Sequence, residues 1–473
     1  MSKPDKKDIP RRQFLKTAAA AVTAGAVFPQ IVPRHVVGGA GHTAPSDTVY
    51  VAGIGFGSMG GYDIRSAARS GAVITTLCDV DFGYAGKNAD DFPKAKRYND
   101  YRELFAKQKD FDAVIIGTPD HTHAVIAMEA LRNGKHVYCE KPLAHTMYEV
   151  RRLTEAARES GLTFQLANQG HTYPTIFEFC ECIWSGEIGE VREIHIQLQG
   201  FNYSRVNNLD LQKENHPVPK TLDYDLWLGP SQFRKFIPSY HPGAWRGWSN
   251  FGTGMIGDWT CHLIDPVYTA FDLGAPTSVI AEAEGFDHTI HGETFPMSSH
   301  VKYEFPARGQ RPPLTMHWYD GERYTPPHPE ELEEGEVSIP LTGRGQKPVG
   351  ALVIGDKGKI AYGTHGAAEW RIIDEDQMNN YMAGKTRAPD PRGQGMPENV
   401  LHLQDWLLAC KGYKENRSNL EYGGPLTEIA LLGTIAQHVL ETELTWDAKH
   451  MMFPSNPEAN QYLHKEYREG WSL

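Results

Sequence analysis

The sequence predicts an α/β protein: a doubly wound parallel domain at residues 45–169, then an α+β domain at residues 170–473 with a mostly antiparallel open sheet. Three observations carry this expectation. Between residues 48 and 169, short apolar runs alternate with helix-length amphipathic stretches, the pattern of parallel strands joined by crossover helices. The first run, 48–54, leads straight into Gly55, Gly57 and Gly60, a G-x-G-x-x-G spacing at a strand-to-helix turn. Beyond residue 170 the alternation stops, and runs 191–199, 278–283, 300–305 and 314–318 read as strands without a helix between each pair.

The glycine spacing has a chemical reason. Gly55 permits a tight turn, Gly57 lets the backbone approach a pyrophosphate, and Gly60 lets the helix pack closely on the strand. Phosphates would rest on free N–H groups of Phe56, Ser58 and Met59, where a helix opens near Ser58 and its dipole favours negative charge. A ligand-free glycine turn has the same spacing. Asp79 favours the nucleotide reading, because it ends the next apolar run about 20 residues on, where an acid meets ribose hydroxyls. An aspartate there accepts from a 2′-OH and repels a 2′-phosphate, so NAD is expected over NADP. The remaining expected elements are an edge strand at 94–98, a helix at 101–108 and a strand at 113–117. A loop at 118–123, a helix at 124–133, a strand at 136–139, a helix at 148–160 and a strand at 163–167 complete the domain.

A chain of 473 residues can bury a large core and divide into two domains. The formal net charge of -12 argues against a nucleic-acid surface and against binding to anionic membranes. Residues 1–40 are set apart as a leader and linker: Arg11, Arg12, Phe14, Leu15 and Lys16 precede a short alanine-rich run at 17–28, which resembles a twin-arginine export signal. That run falls short of the roughly 20 residues a membrane span needs, and Ala24, Gly25 and Ala26 offer a cleavage point. The six cysteines, at 78, 139, 180, 182, 261 and 410, have the spacing of neither a disulfide framework nor a zinc site, so buried free thiols are expected. The Pro/Gly-rich, glutamate-bearing stretch 321–347 reads as a solvated excursion, 398–410 and 427–441 as helices, and 462–473 as an aromatic tail that packs on something.

Two constellations can carry chemistry. Glu140, Lys141 and Pro142 end a strand at the carboxyl edge of the sheet, where ligands of such folds bind. A lysine there can hydrogen-bond a substrate hydroxyl and stabilise a developing alkoxide; a solvated surface lysine is the alternative. The second constellation is a glycine-rich turn from Gly252 into a helix that places Asp258 and His262 at i and i+4 on one face. His262 can take a carbinol proton, because an imidazole titrates near working pH. Asp258 can fix the ring or bind a neighbouring hydroxyl, and Asp265 shares the face. An Asp/His pair is also half of a metal site, but no third ligand accompanies it, so no metal is expected.

Taken in order, the glycine motif with Asp79, then Thr118-Pro119 and His123, then Glu140-Lys141-Pro142, then Asp258 and His262 resemble the glucose–fructose oxidoreductase / inositol dehydrogenase (Gfo/Idh/MocA) family. The likeness runs from about residue 48 to the C-terminus. It implies an N-terminal Rossmann domain, a second domain with an open sheet that makes dimers or tetramers, and a catalytic trio of Lys141, Asp258 and His262 with His262 as general base. It also implies that Thr118, Pro119, His123, Glu140 and Lys141 line the NAD site. Tyr240, Trp245 and Arg246 resemble a sugar-side loop, with core aromatics as the equal alternative. Asn168 follows the last strand beside the nicotinamide, with His171 and Tyr173 towards the sugar.

The expected function is that of an exported, periplasmic, homo-oligomeric oxidoreductase with tightly held NAD, acting on a ring carbinol of a sugar or glycoside. A glycosidase of the same fold, using transient sugar oxidation and elimination, is the alternative.

Overall fold

In the first sheet β1 (Tyr50–Ile54), β2 (Val73–Cys78), β3 (Lys96–Tyr98), β4 (Ala113–Ile116), β5 (His136–Glu140) and β6 (Phe164–Ala167) lie in the order β3-β2-β1-β4-β5-β6, all parallel. Helices α1 (Met59–Arg69), α2 (Phe82–Ala89), α3 (Tyr101–Lys107), α4 (Asp120–Arg132) and α5 (Met147–Ser160) make the crossovers. This is the doubly wound order, with its switch point between β1 and β4. The interior strands are apolar on both faces because helices cover both: every residue of β4 is buried, as is every residue of β6. The structure is a computed structural model that describes residues 47–342, 346–388 and 399–473. The expected twin-arginine leader and its cleavage point lie outside the described residues.

One local expectation fails here. Residues 118–123 do not form a loop throughout: α4 opens at Asp120, with Pro119 as its N-cap. Asp and Thr read as turn formers, but an acid in the first turn suits the helix dipole, and Asp120, His121, Thr122 and His123 are all buried.

The second sheet contains β7 (Val191–Leu198), β8 (Ser278–Glu282), β9 (Ser299–Phe305), β10 (Leu314–Asp320), β11 (Leu341–Thr342), β12 (Lys347–Gly355), β13 (Lys359–Gly363), β14 (Arg371–Ile372) and β15 (Leu444–Thr445). Its order is β14-β13-β12-β7-β10-β9-β8-β15, with β11 paired to β12. The sheet is mixed: β7 and β10 run parallel and the other pairs antiparallel. β12 and β13, not singled out in the sequence, place β7 inside the sheet rather than at its edge. One face of β7 and β10 is core, with Ile194, Ile196, Leu198, Leu314, Met316 and Trp318 buried under helices; the other carries polar residues.

Helices α6 (Pro174–Trp184), α7 (Gly254–Leu263), α8 (Asp265–Phe271), α9 (Asn399–Cys410) and α10 (Leu420–His438) complete the core. α10 begins well before the expected residue 427, although Gly423, Gly424 and Pro425 look like a break. The two glycines serve close approach instead. A Cβ on Gly423 would sit 2.9 Å from Leu166 Cβ, and one on Gly424 would sit 2.8 Å from Thr154 Oγ1. α9 returns to the first sheet, where Leu403, Trp406 and Leu407 join Val51, Ile115 and Tyr138. Residues 49–473 thus form one compact unit. All six cysteines are free thiols, five of them buried. Among the described residues no helix is long and apolar enough to cross a membrane.

Candidate active site

The glycine turn sits at the switch point with little room to spare. Gly55 has φ +75°, and a Cβ there would lie 2.7 Å from the Thr118 backbone nitrogen. A Cβ on Gly60 would lie 1.9 Å from the Gly55 carbonyl oxygen, so only glycine lets α1 start against the strand ends. Asp79, at the end of β2, accepts the Phe56 N–H through Oδ2 (2.9 Å) and the Asp81 N–H through Oδ1 (3.0 Å). Burial, opposed by these bonds, pushes its carboxyl up to about 6. A continuous cleft runs from here between the two domains. Gly55, Gly57, Ser58, Met59 and Asp79 line one end, Thr118 and Pro119 the floor, and Glu140, Lys141, Trp245 and Arg246 the other end.

The cleft's far end is built by charge. Lys141, just past β5 and before a cis peptide to Pro142, donates from Nζ to Asp258 Oδ1 (2.6 Å) and to the Asp258 carbonyl (3.0 Å). Arg246 Nε donates to the same Oδ1 (3.1 Å), and Tyr203 OH donates to Oδ2 (2.8 Å). Burial alone would raise the Asp258 carboxyl, but the charges of Arg246 and then Lys141 outweigh it and hold the group well below the usual carboxylate range. Arg246 is held correspondingly high, since Asp258 and Asp120 outweigh its burial. One turn on in α7, the buried ring of His262 stacks on His365 with centroids 4.0 Å apart. Its Nδ1 has no hydrogen-bond partner. Burial, then the charges of His365 and Lys141, depress its pKa well below the ordinary value, so the ring is neutral at pH 7. Lys141 and Arg246 line the cleft, Asp258 is bonded to both, and His262 lies one helical turn beyond Asp258.

Several sequence-assigned residues lie elsewhere. The Phe56 ring and Gly60 are buried in packing, so only the Phe56 backbone can face the cleft. His123 is not a cleft residue: its two ring nitrogens face the Pro142 (2.9 Å) and Thr118 (2.8 Å) carbonyls, tying the loops after β4 and β5 together. Asn168 and His171 both turn to Asp265 Oδ1 (3.1 and 3.0 Å), and Asn168 Oδ1 is left buried without a partner. Tyr173 is fully buried against Gly366 rather than facing a ligand. Tyr240 belongs to the core, packed edge-on against Trp248 and Phe251. Trp245 does reach the cleft, under the Arg246 guanidinium at 4.3 Å.

Other residues of the site belong to none of the catalytic or cofactor motifs. Asp120 lines the cleft and accepts the Thr253 N–H (3.1 Å) and Oγ1 (2.8 Å), joining α4 to the start of α7. Burial lifts its carboxyl to about 7 despite Arg246. Tyr203 and His365 come from segments far from every motif. Trp471, in the aromatic tail, closes the nucleotide end beside Tyr101.

Can these residues hold a dinucleotide? The test is steric: a Cβ on Gly57 would fall 2.3 Å from the Tyr84 ring, and at Gly55 and Gly60 it would strike backbone. The turn keeps bare backbone beside the free N–H groups of α1, as a pyrophosphate requires.

Comparison with known proteins agrees with this geometry. Residues 49–168 match the family model described as the oxidoreductase family, NAD-binding Rossmann fold. Residues 179–304 match that of its C-terminal alpha/beta domain, so that the two together span more than half of the chain. Inositol 2-dehydrogenase of Salmonella typhimurium is 34% identical over 197 residues, 40% of this chain and 56% of that protein. Trans-1,2-dihydrobenzene-1,2-diol dehydrogenase of Xenopus laevis is 32% identical over 231 residues, 46% of this chain and 58% of that protein. The chain spans a little over half the length of these curated relatives. Among solved structures, levoglucosan dehydrogenase in complex with NADH shares the fold with a TM-score of 0.56 at 16% identity, covering 84% of this chain and 99% of that one. The WlbA dehydrogenase of Bordetella pertussis, in complex with NADH and UDP-GlcNAcA, has a TM-score of 0.56 at 14% identity, covering 85% of this chain and 98% of that one.

Proposed function

This chain belongs to the Gfo/Idh/MocA oxidoreductase family, and we propose that it is an NAD-dependent dehydrogenase acting on a ring carbinol of a sugar or glycoside. One observation carries the reading: Lys141 from the first sheet lines the end of a cleft that begins at the glycine turn and is bonded there to Asp258 of the second domain, with His262 one helical turn further on. The relatives named for inositol and dihydrodiol oxidation, and the fold neighbour named for levoglucosan, point to cyclic polyols.

NAD, when bound, supplies the hydride acceptor; the turn from Gly55 to Met59 would hold its pyrophosphate and Asp79 its adenosine ribose. The chain's own groups do the rest. Lys141, on the wall, donates a hydrogen bond to the carbinol oxygen and offsets its growing negative charge. Asp258 pins that ammonium in place. His262, neutral and lacking a partner at Nδ1, takes the hydroxyl proton. Arg246 and Trp245 offer a cation and an aromatic plane to the sugar at the rim.

The decisive experiment is to denature purified protein, identify any released dinucleotide, and incubate intact protein with a panel of sugars and glycosides. Ketone with reduced dinucleotide supports the dehydrogenase. Free aglycone without ketone supports the glycosidase, for which Lys141 and His262 would serve equally. Neither product, with dinucleotide retained, overturns both. The reading also includes export with NAD already bound, from the Arg11-Arg12 leader, and homo-oligomers. Fractionation of cells carrying R11K/R12K tests the first, and light scattering of the purified protein tests the second.

A further inference from the structure

The polar face of the second sheet carries three histidines side by side, His195, His300 and His317, none of which lines the cleft. On β7, Glu193 and His195 alternate with core-facing Ile194 and Ile196; on the parallel neighbour β10, His317 is the register partner of His195. The two rings lie parallel, 10° apart, with centroids at 4.9 Å. One ligand atom from each of Glu193, His195 and His317 lies within 4.8 Å of the others. We propose that these three residues form a binding site for a divalent transition metal of the zinc class, two imidazoles and one carboxylate, unconnected with the dinucleotide cleft.

Two features separate this cluster from a surface pairing of histidines with acids. The first is an angle. His195 Nε2 is buried and lies 3.0 Å from Glu193 Oε1, close enough to bond, yet it has no hydrogen-bond partner because the oxygen is off its axis. Two ligands of one ion relate in this way: each aims at the metal about 2.0–2.2 Å off, which puts them roughly 3–3.5 Å apart and out of line with one another. His317 Nε2, 3.7 Å from the same oxygen, completes the triangle.

The second is the set of bonds behind the ligands. His300 Nδ1 faces Glu282 Oε1 at 2.6 Å, so it carries the proton. Its Nε2 lies 2.9 Å from His317 Nδ1 and can accept the hydrogen bond of an Nδ1–H there. In that arrangement the lone pair of His317 is on Nε2, towards Glu193. On His195, Nδ1 meets the Tyr319 hydroxyl at 3.1 Å. With the proton on Nδ1 and donated to the Tyr319 oxygen, Nε2 carries the lone pair a metal needs, and in either tautomer Nε2 finds no partner within the protein. The Tyr319 hydroxyl behind His195, and His300 backed by Glu282 behind His317, thus supply partners for the tautomers that leave both Nε2 atoms to a metal. The half-exposed Glu193 leaves a way in from solvent.

The test uses full-length, tag-free protein stripped with chelator and titrated with Zn2+ by calorimetry, with Co2+ as a visible-spectrum probe. The expected result is one ion per chain and a Co2+ absorption band of low coordination number. His317→Ala should weaken binding by about 100-fold or more, Glu193→Gln by at least about 10-fold, and the bracing variant His300→Ala by about 10–100-fold. Circular dichroism and dinucleotide content, unchanged in all three variants, show that they fold. Substoichiometric uptake by the parent, or equal uptake by folded His317→Ala, would overturn the assignment.

Discussion

Asp258→Asn isolates the charge on which the catalytic end of the cleft is built. The substitution keeps shape and volume, so no cavity opens. What it removes is the anion between Lys141 Nζ at 2.6 Å and Arg246 Nε at 3.1 Å. Breaking one side of a buried ion pair costs about 3–5 kcal/mol. The amide oxygen still accepts one bond, and the Arg246 side chain is 26% exposed, so water relieves part of the loss. The expected destabilisation is about 2–4 kcal/mol at pH 7. The pH dependence follows from the direction of the shift. A carboxyl held below its unfolded value stabilises above the unfolded pKa and loses that contribution as pH falls through the folded one. The Asp258 contribution to the gap should thus persist from pH 7 to 5 and be lost only below about pH 4. Urea titrations across this range read the gap directly, and turnover should fall by about 10²–10⁴-fold as Lys141 loses its anchor. A gap under about 0.5 kcal/mol at pH 7, or one that has vanished by pH 5, would refute the reasoning.

Lys141→Ala and His262→Ala should each lower turnover by about 10²–10⁴-fold with dinucleotide still bound; unchanged steady-state rates would remove both from the mechanism. Because the folded-state pKa of His262 is depressed, its proton-accepting form persists as pH falls, and His262 should add no limb to kcat/KM between about pH 7 and 6; a limb near about 6.5 that persists in Asp79→Ala and Asp120→Asn but is absent from the residual activity of His262→Ala would contradict this. Asp79 repels a 2′-phosphate only when ionised, so preference for NAD over NADP should rise as pH climbs through about 6 and should weaken in Asp79→Ala, as competitive binding of the two dinucleotides will read. Gly60→Ala gains helix propensity of about 1 kcal/mol, but its Cβ would lie 1.9 Å from the Gly55 oxygen. Overpacking wins, and purified variant should lose its dinucleotide; full retention would mean that the turn can shift.

Much of the first domain was legible because its signals are local. Strand and helix periods alternate, and the steric demands of Gly55 and Gly60 fall within a single turn. The second domain was legible only in outline. β12 and β13 leave no mark beyond an apolar run, and the start of α10 is hidden because Gly423-Gly424-Pro425 looks like a break, whereas the two glycines let the helix approach Leu166 and Thr154. The loop residues divide in the same way. Trp245 and Arg246 reach the cleft, while Tyr240 and Tyr173 pack into the core, and nothing in an aromatic residue's neighbours along the chain tells these fates apart.

By itself the sequence determined the residue types that chemistry requires: bare backbone for a pyrophosphate, an acid for a ribose, an ammonium at a sheet's carboxyl edge, and an Asp/His pair one helical turn apart. Tertiary structure alone decided that Lys141, Arg246 and Tyr203 all converge on Asp258, that His262 stacks on His365, and that His195 meets His317 across two parallel strands. The reason is range. A turn or a helical face is set by neighbours within a few positions, whereas a buried charge network forms only when distant segments are brought together and water is driven out.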